Sequence, residues 1–166
     1  MARALIVGCG CRGRQLGKGL LADGWQVRGT SRWPAGLDAI QSAGIEAVLA
    51  DPDRVGTVLE LIDDVAVVVW ALGSATGPAE LIEAAHGPRL EHLLGRLVDT
   101  PVRGFLYEGA GTAPAATLAG GAALVREAGE RWRIPVAVVD AAPDDHEAWT
   151  REVMLAARRL LALDVK

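Results

Sequence analysis

Ala4-Leu5-Ile6-Val7-Gly8-Cys9-Gly10-Cys11-Arg12-Gly13, continuing to Gly24-Trp25-Gln26-Val27-Arg28-Gly29-Thr30-Ser31-Arg32, is the stretch that decides the fold. An apolar run from Ala4 to Val7 stops at Gly8-x-Gly10-x-x-Gly13. A helical pattern follows through Leu16, Leu20 and Leu21, Gly24 breaks it, and a second strand ends at Thr30-Ser31-Arg32. Strand, glycine loop, helix and strand in that order hold the pyrophosphate of a dinucleotide. In such a loop Gly8 permits the tight turn, Gly10 lets the backbone approach the phosphates, and Gly13 lets the helix pack on the strand. The helix N-terminus adds free N–H groups and a partial positive charge.

The pattern continues outward as alternating strands and helices. Strands are expected at about 3–8, 25–30, 46–50, 65–71, 103–108 and 134–139, from apolar and β-branched runs. Helices are expected at about 13–23, 36–43, 54–62, 88–98, 119–131 and 146–162. Asp53 is a candidate cap for the third of these. Near-continuous apolar strands such as Val65-Ala66-Val67-Val68-Val69 indicate a sheet covered on both faces. The expected fold is therefore one doubly wound, Rossmann-like α/β domain spanning 1–166, with about six mainly parallel strands and helices on both faces. Its ligand belongs at the carboxyl ends of the strands, near the switch point. The residues to inspect there are Gly8 to Gly13, Thr30 to Arg32, Asp51, Ala71-Leu72-Gly73 and onward to Thr76, and Tyr107 to Thr112.

Composition narrows the partners. The 166 residues suit one domain that buries roughly two-thirds of its unfolded surface. A net charge of −4 with no basic cluster argues against nucleic acid. No apolar run reaches membrane-span length. The first strand begins at once, with no signal peptide, so the chain reads as a cytosolic soluble protein. The 2 cysteines, Cys9 and Cys11, give no disulfide framework; a helix N-terminus could activate them, or they could simply fit a tight loop. The spacing of His86, His92 and His146 predicts no metal site.

The cofactor end is read from the second strand. An NAD-type site carries Asp or Glu about 20 residues after the fingerprint, on the ribose 2′-hydroxyl. Here the strand ends in Ser31-Arg32, which suits a 2′-phosphate through a hydroxyl and a charge-assisted contact. Arg12 and Arg14 add positive potential. NADP(H) is therefore favoured over NAD(H). Asp51, ending the third strand, could accept from the adenine amino group or start the turn beside Pro52.

These residues resemble the short-chain dehydrogenase/reductase superfamily, in its extended and atypical, nucleotide-sugar-epimerase-like branch. The resemblance is carried by Gly8 to Gly13, Gly24 to Arg32 and Leu49-Ala50-Asp51. It extends to Val68-Val69-Trp70-Ala71, Arg103-Gly104-Phe105-Leu106-Tyr107 and Arg133-Ile134-Pro135-Val136-Ala137-Val138-Val139. It implies a tyrosine acid with a lysine four residues on, which the chain does not supply. The 1 tyrosine is Tyr107, with Gly111 four residues later, and chain order puts the family's pair near Ala116 and Gly120. The family's substrate subdomain is missing too, since only one helix follows the sixth strand.

The expected function is thus NADP(H) binding without the parent chemistry, in a cofactor-responsive module whose further partner is an unknown small molecule or regulatory protein. The alternative is a small oxidoreductase in which Tyr107 or Glu108 is the acid for an unknown carbonyl substrate. Trp149, Val153, Ala156, Leu160 and Leu163 share a face of the last helix, which packs on its own sheet or forms a homodimer contact. Trp132 and Trp149 are candidate interface anchors, and Trp33 could lie over an adenine.

Overall fold

A computed structural model describes residues 2–142 and 144–163. Six strands, β1 (Arg3–Val7), β2 (Gln26–Ser31), β3 (Glu46–Leu49), β4 (Val67–Trp70), β5 (Gly104–Glu108) and β6 (Val136–Val139), form one sheet in the order β3-β2-β1-β4-β5-β6. All five neighbouring pairs are parallel. The order reverses between β1 and β4, which opens a crevice at their carboxyl ends.

Seven α-helices connect the strands: α1 (Cys11–Ala22), α2 (Leu37–Ser42), α3 (Val55–Leu59), α4 (Ala79–Ala85), α5 (Pro88–Arg96), α6 (Ala115–Trp132) and α7 (His146–Leu163). Alternate strand residues sort into two cores. Leu5, Val7, Val68, Trp70, Phe105 and Tyr107 face α3, α5 and α6. Ala4, Ile6, Val67, Val69 and Leu106 face α1, α2 and α7. That period-two partition explains why the central strands read as unbroken apolar runs: both faces are covered.

The helices depart from the sequence expectation at identifiable places. α4 is an additional helix in a stretch read as loop, framed by Pro78 at its N-cap and Gly87-Pro88 after it. α6 begins at Ala115, earlier than expected, because Pro114 marks its start. The second expected helix is a 3-10 turn (Pro34–Gly36) leading into α2. Asp53 does not cap α3: the N-cap is Arg54, without a side-chain bond, and the Asp53 carboxylate instead accepts from Arg89 Nε at 3.0 Å.

α7 lies across the sheet on the α1 side, with Trp149, Val153, Ala157 and Leu160 buried against it. Asp145 starts this helix by accepting the Ala148 N–H at 3.0 Å. Trp149 is fully buried, so it is a core residue and not an exposed interface anchor; Ala156 is only partly buried. The expected Leu163 side-chain position lies outside the described residues. Trp132 is half-buried, beside the Arg131 guanidinium.

Candidate functional site

The glycine loop performs three separate tasks, each visible in its geometry. Gly8 has φ 86°, and a Cβ there would lie 2.6 Å from Leu72 Cδ2 and 2.7 Å from the Ala71 carbonyl. Only glycine takes that turn without strain. Gly13 packs against β1, since a Cβ would meet Ile6 Cγ2 and the Gly8 carbonyl oxygen at 3.2 Å. Gly10 differs: nothing lies within 4 Å of its Cβ position, so its bare backbone faces open space. Gly10 is also the N-cap of α1 with no side-chain bond, and no acidic residue occupies the first turn. The helix therefore presents its leading N–H groups and positive end uncompensated.

That open space is a cavity of about 460 Å³. The loop from Gly8 to Arg14 forms its floor, including Cys11, Arg12 and Gly13. Thr30, Ser31 and Arg32 form one end, and Ala71, Leu72, Ser74 and Glu108 the other, with His146 of α7 at the rim. Its guanidinium groups, Arg12, Arg14 and Arg32, outnumber its single carboxylate. Such a cradle matches what a pyrophosphate needs: close backbone, free N–H groups and positive charge. Cys9 is buried beneath Gly29, and burial pushes its thiol up to about 12, so it packs as a small thiol and not as a thiolate. Cys11 is exposed at the cavity.

At the β2 end, Ser31 shapes its own turn. Its hydroxyl donates to the Trp33 carbonyl at 2.7 Å and accepts the Trp33 N–H at 3.1 Å. Arg32 has one carboxylate nearby, Asp51 Oδ1 at 3.7 Å from its Nε. Asp51 itself does not line the cavity; its Oδ1 accepts the Asp53 N–H at 2.9 Å, the turn-starting role. Trp33 stands 67% exposed beside this end.

The β4 and β5 ends are closed more tightly. Glu108 is buried, accepts the Gly73 N–H at 2.6 Å, and pairs with Arg12 at 3.3 Å. Burial raises its carboxyl above the usual carboxylate range, while Arg12 and the N–H groups of Gly73 and Ser74 pull it back in part. Gly73 does not line the cavity; its N–H is spent on Glu108.

Tyr107 is placed elsewhere. Its side chain points into the core on the opposite face of the sheet, fully buried, under Gly121 of α6. Its hydroxyl lies 2.6 Å from His86 Nδ1, and His86 Nε2 lies 3.0 Å from the Leu72 carbonyl. A carbonyl only accepts, so His86 carries its proton on Nε2 and takes the Tyr107 hydroxyl proton on Nδ1. Burial drives the Tyr107 phenol well above its ordinary value and lowers His86. The phenol is thus removed from the cavity, which corrects the expectation that Tyr107 stands beside a bound cofactor. Ala116 and Gly120, where chain order puts the family's tyrosine and lysine, are exposed on α6. The role of His86 gave no sequence signal, because its partners Leu72 and Tyr107 are distant along the chain.

Neither a family model nor a curated protein sequence matches the chain. Solved structures do. BdcA (YjgI) from E. coli superposes with a TM-score of 0.75 at 18% identity, over 93% of this chain and 90% of that one. UDP-glucuronic acid 4-epimerase from Bacillus cereus, in complex with NAD, gives 0.66 at 19% identity, over 82% and 54%. A short-chain dehydrogenase/reductase superfamily protein from Agrobacterium tumefaciens with bound NAD gives 0.66 at 20%, over 82% and 48%. The chain spans about half the length of the latter two. The fold is the Rossmann-type α/β fold of short-chain dehydrogenase/reductase and epimerase-like proteins.

Proposed function

We propose that this protein is an NADP(H)-binding domain without the tyrosine–lysine chemistry of the proteins it resembles, acting as a cofactor-responsive binding or regulatory module. The observation that carries this reading is the cradle itself. Gly10 offers bare backbone to a cavity of about 460 Å³ whose charged walls are Arg12, Arg14 and Arg32. Cavities of a few hundred Å³ suit small organic ligands, and this one runs over the switch point, where such ligands bind.

The preference for a 2′-phosphate is supported by Arg32 at the β2 end, where no carboxylate closer than 3.7 Å engages it. A phosphate there would gain a charge-assisted bond. The absence of parent chemistry is supported by the burial of Tyr107 and by the commitment of Glu108 to Gly73 and Arg12. The nucleotide when bound would supply a redox-active nicotinamide; the chain's own residues bind and orient its phosphates.

Titration calorimetry with NADPH, NADP⁺, NADH and NAD⁺, on wild type and Arg32→Ala, tests the reading. The expected result is tighter binding of the phosphorylated pair. Arg32→Ala should erase that margin, a loss of about tenfold or more for a charged hydrogen bond of roughly 1.5–3 kcal/mol. Equal affinity for all four in wild type would overturn the preference, and no heat with any would overturn the nucleotide reading.

A further inference from the structure

We propose that the crevice recognises its nucleotide only from the adenosine through the pyrophosphate and its attached ribose, and that the nicotinamide makes no contact that contributes to binding. This inference rests on the nucleotide reading above and names the part of the ligand the site reads. A ligand crossing such a crevice puts one nucleoside over the β2 and β3 ends and the other over the β4 and β5 ends. Those two halves are built differently here.

Over β2 and β3 the wall is loose. Ser31 bonds only to its own turn, Arg32 has Asp51 at 3.7 Å, and Trp33 is largely exposed. Over β4 and β5 the loops are stitched to each other. The Thr112 N–H donates to Ser74 Oγ at 3.2 Å, and the Ala113 N–H to the Gly73 carbonyl at 3.0 Å. The two backbones meet so closely that a Cβ on Gly111 would lie 2.0 Å from the Gly73 carbonyl oxygen. A Cβ on Gly73 would lie 2.5 Å from the Ala110 carbonyl oxygen. Glycine at both positions is what permits this closure.

Arg12 completes the closure from the glycine loop. Its Nη2 reaches across the crevice to Ser74 Oγ at 2.7 Å and to Glu108 at 3.3 Å, and its guanidinium lies 5.5 Å from the Trp149 ring centroid. The Glu108 carboxylate is held in turn by the Gly73 N–H. Side chains from α1, β5 and α7 and two loops therefore fill the space a second ring would need. Seating a nicotinamide would break a buried ion pair, which leaves one charge uncompensated. The pyrophosphate floor and the adenosine end need no such change.

The test compares NADP⁺, NADPH and 2′-phospho-ADP-ribose, which is NADP without its nicotinamide, on the wild-type protein by calorimetry. The expected result is affinities within about threefold for all three, with bound NADPH keeping its free-solution fluorescence because its ring stays in water. In the double variant R12A/E108Q the fluorescence of bound NADPH should rise and blue-shift, while the affinity for 2′-phospho-ADP-ribose stays within about fivefold. A tenfold or greater advantage of NADP⁺ or NADPH over 2′-phospho-ADP-ribose in wild type would overturn the inference and leave the nucleotide reading intact. Enhanced fluorescence of NADPH on the wild-type protein would overturn it equally, and needs no variant. Absence of binding by all three would overturn the nucleotide reading, and this inference with it.

Discussion

Gly8 and Gly10 stand two residues apart and are required for different reasons, which makes them separable by substitution. At Gly10 the backbone has φ −81°, open to any residue, and the Cβ position is empty. Gly10→Ala should therefore leave the melting temperature close to wild type while weakening nucleotide binding, because the methyl stands between backbone and phosphate. At Gly8 the positive φ and the 2.6 Å approach to Leu72 make Gly8→Ala destabilising by about 1–3 kcal/mol. Chemical denaturation beside calorimetry checks both. Tyr107 carries the opposite expectation. Tyr107→Phe strands the buried Nδ1 of His86 and should cost about 1–3 kcal/mol of stability, yet leave NADP(H) affinity within twofold. A loss of affinity without a loss of stability would return the phenol to the site.

Between elements, the contact that governs the site joins the glycine loop to the β4 and β5 loops through Glu108. Burial favours its protonated form, so the folded chain holds that proton more tightly than the unfolded chain. The stability gained from this is fully present below the ordinary value of 4.5 and is lost as pH rises through the folded value. His86 acts in the other direction, since its lowered value removes stability as pH falls below 6.5. Comparing Glu108→Gln with wild type isolates the first effect. The variant should lose less stability than wild type as pH rises from 4.5 toward neutrality, read as melting temperature against pH. An identical pH profile in the two proteins would show that Glu108 is ionised throughout. α4 belongs to the same scale: Trp70 Nε1 donates to the Ala85 carbonyl at 3.1 Å, and the adjoining His86 ties this helix to the Leu72 loop. The segment forms a helix because of that anchoring; seven residues have little helical tendency alone.

Across the whole molecule, α7 takes over the covering of the β5 and β6 side of the sheet. Gly104 of β5 sits so close beneath it that a Cβ would lie 2.9 Å from Leu160. Trp149 is the largest side chain this helix buries and also backs Arg12, so Trp149→Ala should cost about 3–5 kcal/mol. It should also alter nucleotide affinity by releasing Arg12; equilibrium denaturation and calorimetry on one preparation would show both effects. With Trp149 inside, the homodimer proposal falls to the outer surface, where Leu155 is an exposed apolar residue. Light scattering over a concentration series would show a monomer–dimer transition if that contact forms, and one constant mass would remove it.

The architecture was legible because its signals are local. Apolar runs, the Gly8-x-Gly10-x-x-Gly13 spacing and the placement of prolines each act within a few residues, and all six strands were read near their observed positions. The basic end at Ser31-Arg32 and the phosphate-facing loop were local in the same sense. Three things depended on which residues meet across the chain. Tyr107 and Glu108 are neighbours on β5, and the strand's alternation sends one to the α6 side and the other to the crevice. Asp51 was drawn to its own turn, and Trp149 was turned inward by α7. Chain order alone cannot choose between such faces. Side-chain periodicity says that neighbours point apart, while the packing of distant helices decides which side becomes core and which becomes site.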